Sequence, residues 1–118
     1  MLSVTSSLHE GRDGRRHPVV RIEGDITVST IPRLSDALAR ELATSDAQLV
    51  IVDLDAVGVI DDAGLGILLG VAASARATGR TVAMIATVPR LRGRLADTRF
   101  DRAVDVVSSA LDAERLAR

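Results

Sequence analysis

Residues 52–70 read VDLDAVGVIDDAGLGILLG. The start of this stretch closes a run, QLVIVDL from Gln48 to Leu54, that is apolar without alternation and of strand length. A strand of that kind is covered on both faces, as in parallel sheets. The end of the stretch opens a second run, from Ala63 to Thr78, in which Leu65, Ile67, Leu68, Leu69, Val71, Ala72, Ala73 and Ala75 leave almost no polar face. This predicts the most buried helix of the protein, stopped at Gly79, a residue suited to a left-handed cap. Residues 58–62 are then a connection. A buried strand feeding a buried helix in this way belongs to a parallel α/β sheet.

Asp61 and Asp62 stand where the helix begins. Unpaired backbone N–H groups and the positive end of the helix dipole favour negative charge there, and the same position favours a phosphate group. Gly64 and Gly66 cost about 1 kcal/mol each against Ala inside a helix. Their presence points to close packing, either of the helix on its own sheet or of a partner's backbone on the helix. The residues alone leave both open.

Working outward, the period of the apolar residues keeps switching. Leu2, Val4 and Leu8 suggest a weak first strand over 1–8, and His9 to His17, HEGRDGRRH, reads as a solvated polar turn. Pro18 to Gly24 is a stronger strand with Val20 and Ile22 on one face. Ile31, Leu34, Leu38 and Leu42 recur at helical steps to about Ala43, with Ser29 or Thr30 as cap and Pro32 in the first turn. After Gly79 come a strand over Thr81–Val88, a short basic helix from Pro89 to about Asp97, a last strand over Val104–Val107, and a terminal helix capped by Ser108 or Ser109 and running to Arg118. The expected architecture is one α/β domain over 1–118. It has a mostly parallel central sheet of about five strands, about four helices, and the first strand antiparallel at an edge.

Composition narrows the chemistry. The 118 residues carry 15 basic and 16 acidic side chains, for a net charge of -1, which gives no electrostatic pull toward nucleic acid. Every basic residue is Arg, so lysine nucleophiles and the lysine of a phosphate-binding loop are excluded. With no Cys there is no thiolate or disulfide chemistry. One aromatic, Phe100, provides no stacking platform. No signal peptide and no membrane span is read from the sequence, so the expectation is a soluble, cytoplasmic protein without membrane insertion. His9 and His17 have only Glu10 and Asp13 as nearby partners and read as residues of the solvated loop, so no metal is expected. Asp53 and Asp55 form a D-x-D at a strand end, the pattern that opens haloacid-dehalogenase-type phosphatases, where paired carboxylates hold a hard cation. The rest of that pattern is missing, and the plainer reading is a pair of Asp residues bonding turn backbone.

The segment from Asp53 to Gly66 resembles the STAS domain family, the fold of bacterial anti-sigma factor antagonists. Asp53 matches the family's strand-end Asp; Asp61, Ala63, Gly64, Leu65 and Gly66 match its helix start. Gly24-Asp25-Ile26-Thr27 is similar to the Gly-Glu-Leu-Asp that ends its second strand, with Thr30 and Pro32 following. Pro89-Arg-Leu-Arg and Thr98-Arg-Phe-Asp101 are similar to its third helix and the Thr-Gly-Leu-Asp turn after it. The resemblance covers nearly the whole chain. It implies a protein that catalyses nothing, needs no cofactor, and binds an anti-sigma factor that is also a serine kinase, releasing sigma factor. The implied partner surface is the rim formed by Asp25, Thr27, Ser29, Thr30, Asp61, Asp62, Ala63, Gly64, Leu65 and Gly66.

Two positions depart from the family's pattern. The phosphoacceptor serine is replaced by Asp62, which no Ser/Thr kinase can modify and which carries a fixed charge where the phosphate would sit. Thr27 stands where many antagonists have Asp. The sequence therefore implies a domain locked in one state, through a fixed partial phosphate mimic or through a partner with an Arg facing Asp62; the alternative at that position is a plain helix cap. Ser29 and Thr30 read as caps rather than phosphoacceptors. Arg90, Arg92 and Arg94 read as a solvated helix face. A second functional reading from the same resemblance is a stand-alone accessory subunit of a transport system. Edge strands leave room for a homo-oligomer, but no feature calls for one.

Overall fold

The computed structural model describes residues 2–116. The elements are β1 (Ser3–Glu10), β2 (Arg16–Ile26), α1 (Ile31–Thr44), β3 (Leu49–Ile60), α2 (Asp62–Ala77), β4 (Thr81–Ile85), α3 (Pro89–Asp97), α4 (Phe100–Ala103), β5 (Asp105–Val107) and α5 (Ala110–Glu114). They form one five-stranded sheet in the order β1-β2-β3-β4-β5. β1 pairs antiparallel with β2 and every later pair is parallel. The expected fold class, sheet composition and antiparallel edge are all present.

Strand order equals chain order, and this decides where the helices go. Each parallel crossover steps across the sheet in the same direction, and crossovers are right-handed, so successive helices fall on the same face. Accordingly α1 to α4 share one core: Leu34 and Leu38 of α1, Leu65 and Leu68 of α2, Leu91 and Leu95 of α3 and Phe100 of α4 pack on Val20, Ile22, Val50, Val52, Leu54 and Met84. Among the described residues the other face is served by α5 alone, where Ala113 meets Leu49, Ile51, Ala83 and Ile85. Leu49 to Val52 alternate between the two cores, which is why the start of β3 is apolar without a break.

β3 is longer than the apolar run from Gln48 to Leu54 suggests. β4 pairs with it only as far as Asp53↔Ile85. Past that point β3 runs beside β2, through Glu23↔Ala56 and Gly24↔Val57 to Ile26↔Ile60, with irregular register on either side of Gly24; β1 flanks β2 as far as Ser3↔Glu23, and beyond it β2 and β3 form a two-stranded ribbon. Gly24 sits at φ +107, a backbone state closed to most other residues. The expected connection over 58–62 is therefore mostly strand, and α2 starts at Asp62 rather than Ala63.

Other corrections are local. β4 stops at Ile85, not Val88, because the N–H and Oγ1 of Thr87 turn to Asp55 at 2.7 Å each. α4 was not anticipated: a single turn is too short to show a period, and it is entered through Arg99 at φ +60. α5 ends at Glu114 before a turn, short of the expected Arg118, which lies outside the described residues. The first strand is not weak; its eight residues pair with β2 throughout. The polar turn shrinks from 9–17 to 11–15, with His9 and His17 paired opposite each other in the strands. His17 is 3% exposed, so it is not part of a solvated loop.

Candidate functional site: the rim around the start of α2

The β2–β3 ribbon ends in two loops that lie side by side and lead into α1 and α2. Asp61 ties them together. Its Oδ1 accepts from the N–H of Gly64 at 2.8 Å, which is an N-cap of α2. Its Oδ2 accepts from the N–H of Val28 at 3.1 Å, in the loop before α1. Its own N–H donates to the Ile26 carbonyl at 3.1 Å. One short side chain thus satisfies a donor on each loop. Asp25 works the same way from the other side, with Oδ1 accepting from the N–H of Val59 at 2.8 Å.

Thr30 occupies the N-cap position of α1 without a side-chain cap. Its hydroxyl donates instead to the Asp25 carbonyl at 2.9 Å and accepts from the N–H of Thr27 at 3.0 Å. Thr27 Oγ1 and Ser29 Oγ lie 3.0 Å apart. The expected capping by Ser29 or Thr30 is therefore replaced by a bonded turn over Asp25–Thr30.

Asp62 behaves unlike its neighbour. Its side chain is 94% exposed, and Oδ1 receives Nη2 of Arg94 at 3.0 Å. Arg94 is itself anchored, with Nε donating to the Ile60 carbonyl at 2.7 Å. The arginines of α3 are thus not a freely solvated face. Arg90 donates to the Gly58 carbonyl at 3.1 Å, and Arg92 to the Ala86 carbonyl at 3.3 Å. All three guanidinium groups close strand ends on the rim side. The Arg that faces Asp62 comes from the same chain, and the plain-cap reading of Asp62 gives way because Asp61 holds that role.

The two glycines divide. A Cβ on Gly64 would lie 2.6 Å from Ile26 Cγ2 and 2.9 Å from the Ile26 carbonyl oxygen, so Gly64 serves the contact of α2 with β2. A Cβ on Gly66 would meet nothing within 4 Å. Gly66 and Gly70 instead line an open groove between α1 and α2, about 320 Å³ in volume, with Ala39, Leu42, Ile67 and Val71. Leu65 is buried beside Gly64, while Ala63 is exposed. Of the expected rim residues, Gly64 and Leu65 thus face inward, and Ser29, Asp62, Ala63 and Gly66 face solvent.

Two rim residues carry a signal that pattern reading missed. Val28 is 69% and Val59 52% exposed. Both are apolar, and they sit in the loop before α1 and beside Gly58 at the end of β3. In sequence each looks like one more core valine.

The D-x-D carboxylates are engaged elsewhere. Asp53 bonds Arg21 Nη1 at 3.2 Å and the N–H of Asp55 at 3.0 Å, while Asp55 holds Thr87. The plainer reading fits Asp55, which holds the backbone just past the end of β4, but not Asp53, which lies inside β3 and bonds a side chain and its own strand. Among the described residues no helix is long and apolar enough to cross a membrane.

Solved structures share this architecture. An anti-sigma factor antagonist from Mycobacterium paratuberculosis is 25% identical, with a TM-score of 0.73 over 100% of this chain and 95% of that one. The anti-sigma factor antagonist SpoIIAA in its unphosphorylated form is 15% identical, with a TM-score of 0.61 over 95% and 94%. A sulfate transporter family protein from Wolinella succinogenes is 20% identical, with a TM-score of 0.67 over 92% and 93%. The last two show the fold alone. The class is that of small α/β domains built on one mixed five-stranded sheet with an antiparallel edge. The STAS domain model matches residues 11–113, and the chain belongs to the STAS domain family.

Proposed function

We propose that this chain is an antagonist-like regulator that binds an anti-sigma factor of the serine-kinase type, in the cytoplasm, through the rim Asp25–Thr30 and Asp61–Gly66. It works by binding and not by catalysis. The observation that carries the reading is the division of labour between Asp61 and Asp62. Asp61 fixes the two loops, and Asp62 is left displayed on a rigid helix start beside exposed Val28, exposed Val59 and an open glycine-lined groove. A charged centre beside apolar contacts on fixed backbone suits a protein partner.

The sheet supports the same reading. In open α/β sheets small ligands bind where strand order reverses, and here the order never reverses. The likeness to the Mycobacterium paratuberculosis antagonist adds weight. Asp62, already charged and already paired with Arg94, suits a domain held in one state rather than switched at that position.

The likeness to the Wolinella succinogenes protein keeps a second role in view, that of an accessory subunit of a transport system. A fixed Asp62 is compatible with it, since no phosphorylation cycle is then required.

The test is calorimetry or pull-down against the host's kinase-type anti-sigma factors, with wild type and Asp62→Ser. The expected result is binding by wild type to one of them. Binding by Asp62→Ser alone, with release on phosphorylation, makes Asp62 a fixed phosphate mimic. Binding by neither overturns the antagonist role and leaves the transport role.

A further inference from the structure

The end of the sheet opposite the rim carries a cluster that the proposed function does not use. His9 in β1 and His17 in β2 are direct cross-strand partners, with ring centroids 6.5 Å apart and planes 24° from parallel. His17 shares the α5 face with Val19 two residues on. Asp13, in the turn between the strands, brings Oδ1 to 3.8 Å from His17 Nε2. Glu114, the last residue of α5, brings Oε1 to 3.6 Å from His9 Nε2. Donor atoms of Asp13, His17 and Glu114 all lie within 4.8 Å of one another.

Three observations set this cluster apart from an ordinary surface ion-pair group. First, Nε2 of both histidines is buried and has no hydrogen-bond partner among the described residues. A buried polar atom left in that state carries an uncompensated desolvation cost, which a ligand bond would remove. Second, two carboxylates converge on two imidazoles, and Arg15, whose Nε lies 3.9 Å from Asp13 Oδ2, offsets one of the two negative charges. A cation held between the carboxylates would meet the other. Third, residue 11 is Gly, and a Cβ there would collide with Glu114 Oε1 and come within 2.7 Å of Asp13 Oδ1. The chain keeps open the space into which both carboxylates point.

We propose that His9, Asp13, His17 and Glu114 bind a divalent transition-metal ion of the zinc class. Imidazole with carboxylate suits zinc and its neighbours rather than calcium or magnesium, which take oxygen ligands. Metal–ligand bonds of about 2.0–2.2 Å in a tetrahedron place neighbouring donors about 3.3–3.6 Å apart, so Asp13, His17 and Glu114, whose donors lie within 4.8 Å of one another, would close in by up to about 1.5 Å, and His9 would join them through its 3.6 Å contact with Glu114. The outer bonds are in place: Glu114 Oε1 accepts the N–H of Arg12 at 2.7 Å, and Asp13 Oδ1 accepts the N–H of Arg15 at 2.9 Å. Such bonds orient ligands. The ion would fasten α5, the sole helix on its face, to the β1–β2 turn.

The experiment uses the full chain without affinity-tag histidines, stripped of metal and titrated with Zn²⁺ and with Co²⁺. The expected result is one ion per chain, Co²⁺ bands of tetrahedral strength, and a higher melting temperature with Zn²⁺ but not with Mg²⁺. His17→Ala removes a buried side chain and can fail to fold, so Asp13→Asn and Glu114→Gln are the deciding variants, with circular dichroism to verify folding. Each should weaken Zn²⁺ by more than the roughly 10–100-fold that loss of an outer partner costs. No uptake by wild type overturns the proposal, as does uptake that these folded variants leave unchanged.

Discussion

The two ends of the sheet handle buried and half-buried polar groups in opposite ways. At the rim, Asp61 and Asp25 each close a circuit, meeting backbone donors of the loop before α1, of the end of β3 and of the first turn of α2. At the hairpin end, two imidazole nitrogens and two carboxylates approach without bonding to one another. A satisfied polar group fixes structure, and an unsatisfied one waits for a ligand. The rim is accordingly a rigid platform whose free chemistry points outward, whereas the hairpin end keeps its free chemistry inside.

Substitutions can break that contrast. The largest effect on stability is expected at the first of its two crowded glycines, and the second serves as its control. At Gly64 an added methyl meets a backbone carbonyl and the root of Ile26, neither of which can swing aside. Gly64→Ala should cost about 1–3 kcal/mol by overpacking, read as a lower urea midpoint. At Gly11 the obstructing atoms are side-chain ends, so Gly11→Ala should cost less than about 1 kcal/mol while abolishing Zn²⁺ uptake. Equal stability losses at the two positions would sink the contrast. Next comes Asp61→Ala, which strips the cap of α2 and orphans the N–H of Val28, and should cost about 1–2 kcal/mol. Hydrogen exchange should then quicken at Val28 and Gly64 together, and protection lost at only one of them would mean the loops are not coupled through Asp61. The smallest effect belongs to Asp62→Ser. Its exposed pair with Arg94 should be worth within about 0.5 kcal/mol, so thermal melting should barely move.

Much of the fold was legible because its signals are local. The unbroken apolar run of β3 and the helical steps of α1 and α2 report sheet and helix directly, and the Pro89–Asp97 helix was located to the residue. Strand ends were harder to read. Nothing in residues 55–60 says that β2 alone will accompany β3 there, since that depends on β4 stopping at Ile85. At the candidate rim, the Asp–Asp–Ala–Gly–Leu–Gly pattern singled out the turn into α2, but which glycine faces in and which faces out needed the sheet beneath. Arg94 was invisible as a partner of Asp62 because 32 residues separate them. The histidine cluster was misread for the same reason: Glu114 enters it from a helix that only the completed sheet brings near.

A sheet whose strands follow one another in space as they do in sequence can be assembled in the order of synthesis. Each new strand arrives at an edge that its predecessor has just exposed, and no earlier strand has to be displaced to admit it. The closures that must wait are those of α5, such as the bond from the N–H of Arg12 to the carboxylate of Glu114, 102 residues apart. Until α5 emerges, the apolar face around Ile51 and Ala83 stays bare, and the nascent chain is at its most adhesive while that face is open.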